Sequence, residues 1–207
     1  MSARVIRHPG VPSNLTALAL TAGGARGAYQ SGVLKRIGEI PALRGAPAPF
    51  DIIAGASAGA INGAAIAARG ERLHDATSYL AALWSGLTAA QVYRTDMRAL
   101  ATNAGRLFRD AALRPWLGAG RMQSLLDATP LKALLERELP LAGIRRAIAQ
   151  RRLYALAITA TGYHSGKSYT FIEGRAHHPL WHKSRRIALP ATMTVDHVCA
   201  SAAIPLV

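Results

Sequence analysis

Apolar residues along this chain change their spacing from segment to segment, and the changes predict strands alternating with helices. The run LTALAL over 15–20 is short and apolar, which predicts a strand. AYQSGVLKRIGEI over 28–40 then puts Tyr29, Val33, Ile37 and Ile40 on one helical face. Between the two lies a glycine-rich turn, TAGGARG, at 21–27. The pattern repeats. APAPFDIIAG (46–55) reads as a Pro-rich loop and a second strand, and SAGAINGAAIAARG (57–70) as a helix whose small side chains let its backbone lie close on a sheet. Two successive strand-turn-helix units argue for parallel strands joined by right-handed crossovers. Each turn then lies at the carboxyl edge of the sheet, where α/β proteins build their sites.

Further along, DATSYLAALWSGL (75–87) offers Asp75 as N-cap and an apolar stripe through Ala76, Tyr79, Leu80, Leu83, Trp84 and Leu87. TPLKALLEREL (129–139) carries Thr129 at the cap and Pro130 at the first helical position. RLYALAITATGYHSGKSYTFIEG (152–174) predicts two strands joined through HSGK, and TVDHVCASAAIPLV (194–207) a helix ended by Pro205. Residues 88–128 are weakly periodic and Arg-rich, suiting a mobile cover or a helical insertion. Residues 1–14 lack periodicity and hold Pro9 and Pro12, so they read as a loose leader to one domain over 15–207.

Composition narrows the class. With 50% hydrophobic and 17% charged residues in 207, the chain can bury one substantial globular core. Its apolar runs fall short of the ~20 residues a membrane-spanning helix needs. Cys199 is the single cysteine, so no internal disulfide forms and the cytoplasm is the simplest compartment. The formal charge of +14 suits a polyanionic partner. No nucleic-acid-reading motif accompanies it, and three Phe and three Trp leave little for base stacking, which argues against nucleic acid. The local clusters GIRRAIAQRR (143–152) and HKSRR (182–186) fit either solvated faces or contacts to lipid phosphates, so peripheral contact with an anionic membrane is compatible with the charge.

Chemistry concentrates in the two glycine-rich turns. Gly55-Ala56-Ser57-Ala58-Gly59 fits G-x-S-x-G, a strained strand-to-helix turn with a serine at the N-terminus of a helix, where free amides and the helix dipole favour an anion. A serine attacking an ester creates an oxyanion that needs preorganised donors. Gly23 and Gly24 can adopt the positive φ that aims consecutive amides into one concavity, and Arg26 adds positive charge. Two other readings of that loop are an ordinary tight turn and a dinucleotide loop. The second lacks the first glycine of G-x-G-x-x-G and an acidic ribose partner. A Ser-His-Asp triad would draw on His164, His177, His178, His182 or His197, but no His-Gly-Gly loop precedes the elbow. His177, His178 and His182 have no clear carboxylate or cysteine partner nearby in sequence to complete a metal site.

Taken together, LALTAGGARGAYQSGVLKRI, FDIIAGASAGAINGAAIA and ASAAIP (200–205) resemble the glycine-rich loop, the nucleophile elbow and the segment leading towards the catalytic aspartate of the patatin-like phospholipases. The resemblance implies a three-layer α/β/α fold with a mainly parallel sheet. It also implies hydrolysis of phospholipid or other acyl esters by a Ser-Asp dyad that needs no histidine, metal or cofactor. By resemblance Ser57 is the nucleophile between Gly55 and Gly59, and the amides near Gly23, Gly24 and Ala25 form the oxyanion site with Arg26. Two positions depart from the pattern. Ala22 stands where the family has its first glycine, and none of Asp51, Asp75, Asp96, Asp110, Asp127 or Asp196 is followed by glycine, as the family's aspartate is. The expectation is therefore a domain incomplete at its C-terminus, with the catalytic Asp beyond Val207 and these 207 residues nearly inactive by themselves. The alternatives are a non-catalytic lipid-surface or interaction module with the same fold and, less favoured, a nucleotide-binding α/β domain.

Overall fold

A computed structural model of the chain describes Pro12 and residues 14–92 and 128–203. Strand β1 (Ala17–Leu20) runs through a short 3-10 turn (Gly24–Arg26) into helix α1 (Gly27–Gly38), and β2 (Ile52–Ala56) runs straight into α2 (Ala58–Arg69). Helices α3 (Leu73–Ser85), α4 (Ala89–Val92), α5 (Thr129–Glu138) and α6 (Ala142–Ala149) follow. Strands β3 (Ala155–Gly162), β4 (Lys167–Gly174) and β5 (Arg186–Pro190) lead to α7 (Val195–Ala202). The five strands lie in the order β1-β2-β3-β4-β5. All neighbouring pairs are parallel except β3 with β4, the hairpin through HSGK, so the sheet is mixed and mainly parallel. Gly166 closes that hairpin at φ 61°.

Helix α2 is the centre of the core. Its ten residues from Ala58 to Ala67 are all buried, as a helix apolar on every side requires. The sheet supplies Leu20, Ile53, Leu156 and Ile158 to the same cluster, and α5, α6 and α7 add Leu135, Ile144 and Val198. A smaller cluster of Tyr154, Ala155, Ile172 and Ala188, with Ile52 and Ala157 against it, occupies the other face of the strands.

Four sequence expectations need correction. The stripe of α1 predicted from Tyr29, Val33, Ile37 and Ile40 is not its packed side: Tyr29 is 77%, Val33 43% and Ile40 46% exposed. The buried side is Gly27, Ser31, Leu34 and Gly38: Leu34 enters the core, and the small residues let α1 approach α3 closely, with Gly38 against Thr77 and Gly27 against Trp84. Asp75 is not the cap of α3. That position is held by Arg72 in extended conformation, and Asp75 sits in the first turn, 4.0 Å from the Arg72 guanidinium. Thr129 lies inside α5 and Ala128 takes its cap position. Helix α7 starts at a capping box of Thr194 and His197 and ends at Ala202, before Pro205 is reached.

The cluster GIRRAIAQRR contains a helix that its charge disguised. In α6, Gly143, Ile144 and Ala147 are buried at helical spacing while Arg145 and Arg146 face outward. Most of the leader, most of the insertion and the last four residues lie outside the described residues. Among the described residues no helix is long and apolar enough to cross a membrane.

Candidate active site

One residue makes the turn between β2 and α2. Ser57 has φ 54° and ψ −123°, a conformation that costs a non-glycine residue about 1–3 kcal/mol. Its carbonyl accepts the amides of Ala60 and Ile61 at 2.8 and 3.3 Å, which starts the helix. Although Ser57 stands at the N-cap, its side chain makes no capping bond, so the hydroxyl is not used in holding the helix end.

The two flanking glycines are required by backbone approach. A Cβ on Gly55 would overlap the Gly59 carbonyl, and a Cβ on Gly59 would overlap the carbonyls of Leu20 and Thr21. The end of β1, the end of β2 and the first turn of α2 therefore meet closer than any side chain allows. This gives the G-x-S-x-G spacing its physical cause.

A second serine holds the strained turn. The Ser57 amide donates to Ser201 Oγ at 2.8 Å, and Ser201 Oγ donates in turn to the Thr159 carbonyl at 2.6 Å. Helix α7 thus clamps the elbow to β3. Ser201→Ala leaves the Ser57 amide without this acceptor, and a loss of about 1–3 kcal/mol in unfolding free energy is expected by urea titration. A variant as stable as the parent would mean that the amide finds another partner.

The glycine-rich loop is fixed from beneath. Gly24 takes the expected positive φ, 52°, but Gly23 does not and is extended at φ −179°; the Arg26 amide closes the turn onto the Gly23 carbonyl at 3.0 Å. Asn62, fully buried on α2, donates to the Gly27 carbonyl at 3.0 Å and to Gln30 Oε1 at 3.1 Å, and accepts from Trp84 Nε1 at 2.6 Å. Gln30 Nε2 donates onward to the Thr21 carbonyl at 2.8 Å. Every member of this network has a partner, so it locks the loop to the helix that Ser57 begins. Neither Ser201 nor Asn62 was singled out from sequence. The signal for Asn62 was one amide side chain in a helix otherwise made of Ala, Gly and Ile up to its last residue, Arg69.

Loop and elbow face one cavity of about 420 Å³. Gly24, Ala25 and Ser57 line it, and Ile61, Trp84, Leu87, Val92 and Leu131 give it apolar walls. Gly24 and Ala25 head the 3-10 turn, where a helical turn leaves its first amides without acceptors of its own. Of the other sequence-predicted residues, Gly55 and Gly59 are buried beneath the elbow. Gly23 and the exposed Arg26 are not among those lining the cavity.

No described carboxylate or imidazole lines this cavity. Asp51 accepts the Thr16 amide, Asp196 pairs with Lys132 at 2.7 Å and Glu173 receives the Met193 amide. Glu138 is shared by Arg137 and Tyr79. His197 Nδ1 serves the α7 cap, while His178 and His74 contact the carbonyls of Arg175 and Gly38. The Cys199 thiol is pushed above its ordinary range by burial, which keeps it protonated and a poor nucleophile at neutral pH. Among the described residues no three His, Cys, Asp or Glu side chains gather as a metal site.

A family model described as Patatin-like phospholipase matches residues 18–207. That family assignment carries a three-layer α/β/α fold, with which the mixed, mainly parallel sheet agrees. No curated protein matches the chain. Among solved structures, a chain of the heterodimeric ExoU-SpcU complex from the type III secretion system of Pseudomonas aeruginosa is similar at 17% identity and TM-score 0.40, over 93% of this chain. This chain spans 37% of that one's length.

Proposed function

The chain belongs to the patatin-like phospholipase family, and from that premise we propose that it is the nucleophile-bearing part of a serine acyl hydrolase acting on membrane glycerolipids. The observation that carries this reading is Ser57, held at φ 54° on the rim of a cavity it shares with Gly24 and Ala25. In the proposed reaction Ser57 Oγ attacks the acyl carbonyl carbon, the carbonyl π pair moves to oxygen, and the hydroxyl proton passes to a base. The oxyanion accepts hydrogen bonds from amides of the glycine-rich loop, near Gly23, Gly24 and Ala25, with Arg26 adding positive charge. Each such donor contributes about 3 kcal/mol to the transition state. Collapse expels the lyso-lipid alcohol, and water then hydrolyses the acyl-serine. The apolar walls at Trp84, Leu87 and Leu131 suit an acyl chain.

The base is proposed to be an aspartate carried by sequence beyond Val207. In support, the described carboxylates are engaged elsewhere and no described imidazole reaches the cavity. Without a base the serine keeps a hydroxyl of little nucleophilic character, so residues 1–207 alone are expected to be nearly inactive. The same observation favours a second reading, a non-catalytic lipid-surface module.

Extending the chain separates the two. A protein continued through the following coding sequence is expected to hydrolyse nitrophenyl butyrate and phospholipid at least about a thousandfold faster than the 207-residue chain. Its activity should survive alanine at His164, His177, His178, His182 or His197. A folded, longer protein with no hydrolysis would favour the module.

A further inference from the structure

We propose that the outward side of α1 docks the protein on an anionic lipid bilayer, with the Ser57 cavity opening beside the contact. The hydrolase reading gives this contact its purpose, but the binding itself does not require a reacting serine. Tyr29 and Val33 lie on the side of α1 opposite its buried seam of Gly27, Ser31, Leu34 and Gly38, and Ile40 is exposed two residues beyond the end of the helix. Seven large hydrophobic residues are exposed among the described ones, and three of them are on this helix and its C-terminal end. An apolar stripe of that kind, outward on one helix rather than scattered, marks an interaction surface.

Charge decides the occupant. From Thr21 to Gly45 the chain carries Arg26, Lys35, Arg36 and Arg44 against Glu39 alone. The Arg36 side chain is 84% exposed, even while it bonds Glu39 at 2.7 Å. Exposed aromatic and aliphatic side chains interleaved with cations describe a helix that lies in a headgroup layer, its apolar side in the acyl boundary and its cations on lipid phosphates. The surface is also continuous with the cavity. Ala28, the residue before Tyr29, lines it together with Gly24 and Ala25. A bilayer held against Tyr29 would therefore meet the protein at the α1 turn that forms one wall of the cavity.

The test is co-sedimentation with phosphatidylcholine vesicles made with and without phosphatidylglycerol, using the Ser57→Ala protein so that no lipid is consumed. Binding is expected to depend on phosphatidylglycerol. The combined Tyr29→Ser, Val33→Ser and Ile40→Ser protein is expected to partition at least about tenfold more weakly. Lys35→Ser with Arg36→Ser should flatten the dependence on anionic lipid. All these side chains are exposed, and an unchanged circular dichroism spectrum would verify the fold. The proposal is overturned if the triple variant binds as its parent does, or if the parent ignores vesicles. It is equally overturned if sedimentation equilibrium finds a dimer that the triple substitution dissociates, since a second copy would then cover the stripe. In the protein that retains Ser57, hydrolysis of a water-soluble ester should be unchanged by the triple substitution. An extended protein that retains Ser57 and binds vesicles as described, yet cleaves no ester, would remove the hydrolase reading and leave the docking surface standing.

Discussion

Ser57→Ala is expected to fold as the parent does and to lose more than about a thousandfold of the ester hydrolysis of the active, extended protein. The reason is local. The hydroxyl makes no capping bond, so its removal breaks nothing that holds α2, whereas the other hydroxyl lining the cavity, Thr88, is off the elbow and bonded to Gln91 Oε1. Alanine also keeps the strain at φ 54°, and stability should hardly change. Ser57→Gly separates the two effects: it is expected to be equally inactive but more stable by about 1 kcal/mol or more, because glycine accepts positive φ without penalty. Steady-state kinetics with a soluble ester and urea titrations of all three proteins would measure this. Undiminished hydrolysis by Ser57→Ala would remove the serine mechanism. A destabilised glycine variant would mean that the conformation is not strained.

Gly59→Val is expected to cost more than about 4 kcal/mol, most of the stability of a domain near the low end of the usual range. The added Cβ meets backbone, the carbonyls of Leu20 and Thr21 at the end of β1, and backbone cannot swing aside as a side chain does. Relief would require α2 to lift from the sheet or β1 to part from β2 at the Leu20–Gly55 pairing. Gly63→Ala, one turn along the same helix, provides the contrast. Its Cβ would meet Ile53 Cγ2 at 3.0 Å and Leu20 Cδ1 at 3.8 Å, atoms at the ends of side chains. That variant should fold with a loss no larger than the typical core substitution, about 1 kcal/mol. Soluble yield and the thermal midpoint distinguish the two proteins. A Gly59→Val protein of parental stability would contradict the close approach.

How much of this was legible in the sequence depended on whether a residue's role was local. Gly55, Ser57 and Gly59 form one turn, so their spacing is a direct imprint of geometry and pointed to the site. The hairpin at HSGK was legible for the same reason. The orientation of α1 was not, because a 3.6-residue period reveals a helix and its stripes but not which stripe is packed. Here close packing selected the side with Gly27, Ser31 and Gly38, and left the apolar one outside. Helix α6 was hidden by its charge, since Arg145 and Arg146 outweighed Gly143, Ile144 and Ala147 to the eye. Ser201 lies 144 residues from the amide it accepts, and nothing in its neighbourhood announces that bond.

The central claim is that Ser57 is the nucleophile, and covalent trapping tests it most directly. A long-chain alkyl fluorophosphonate would react by attack of Ser57 Oγ on phosphorus, forming a P–O bond as fluoride leaves. Trypsin releases residues 45–69, a peptide in which Ser57 is the sole serine, threonine or tyrosine. The account predicts that the active, extended protein gains one phosphonyl group, that the added mass resides on this peptide, and that ester hydrolysis falls in proportion to labelling. An unlabelled 45–69 peptide in protein whose hydrolysis has been abolished by the reagent would contradict it, as would inactivation that proceeds equally in Ser57→Ala.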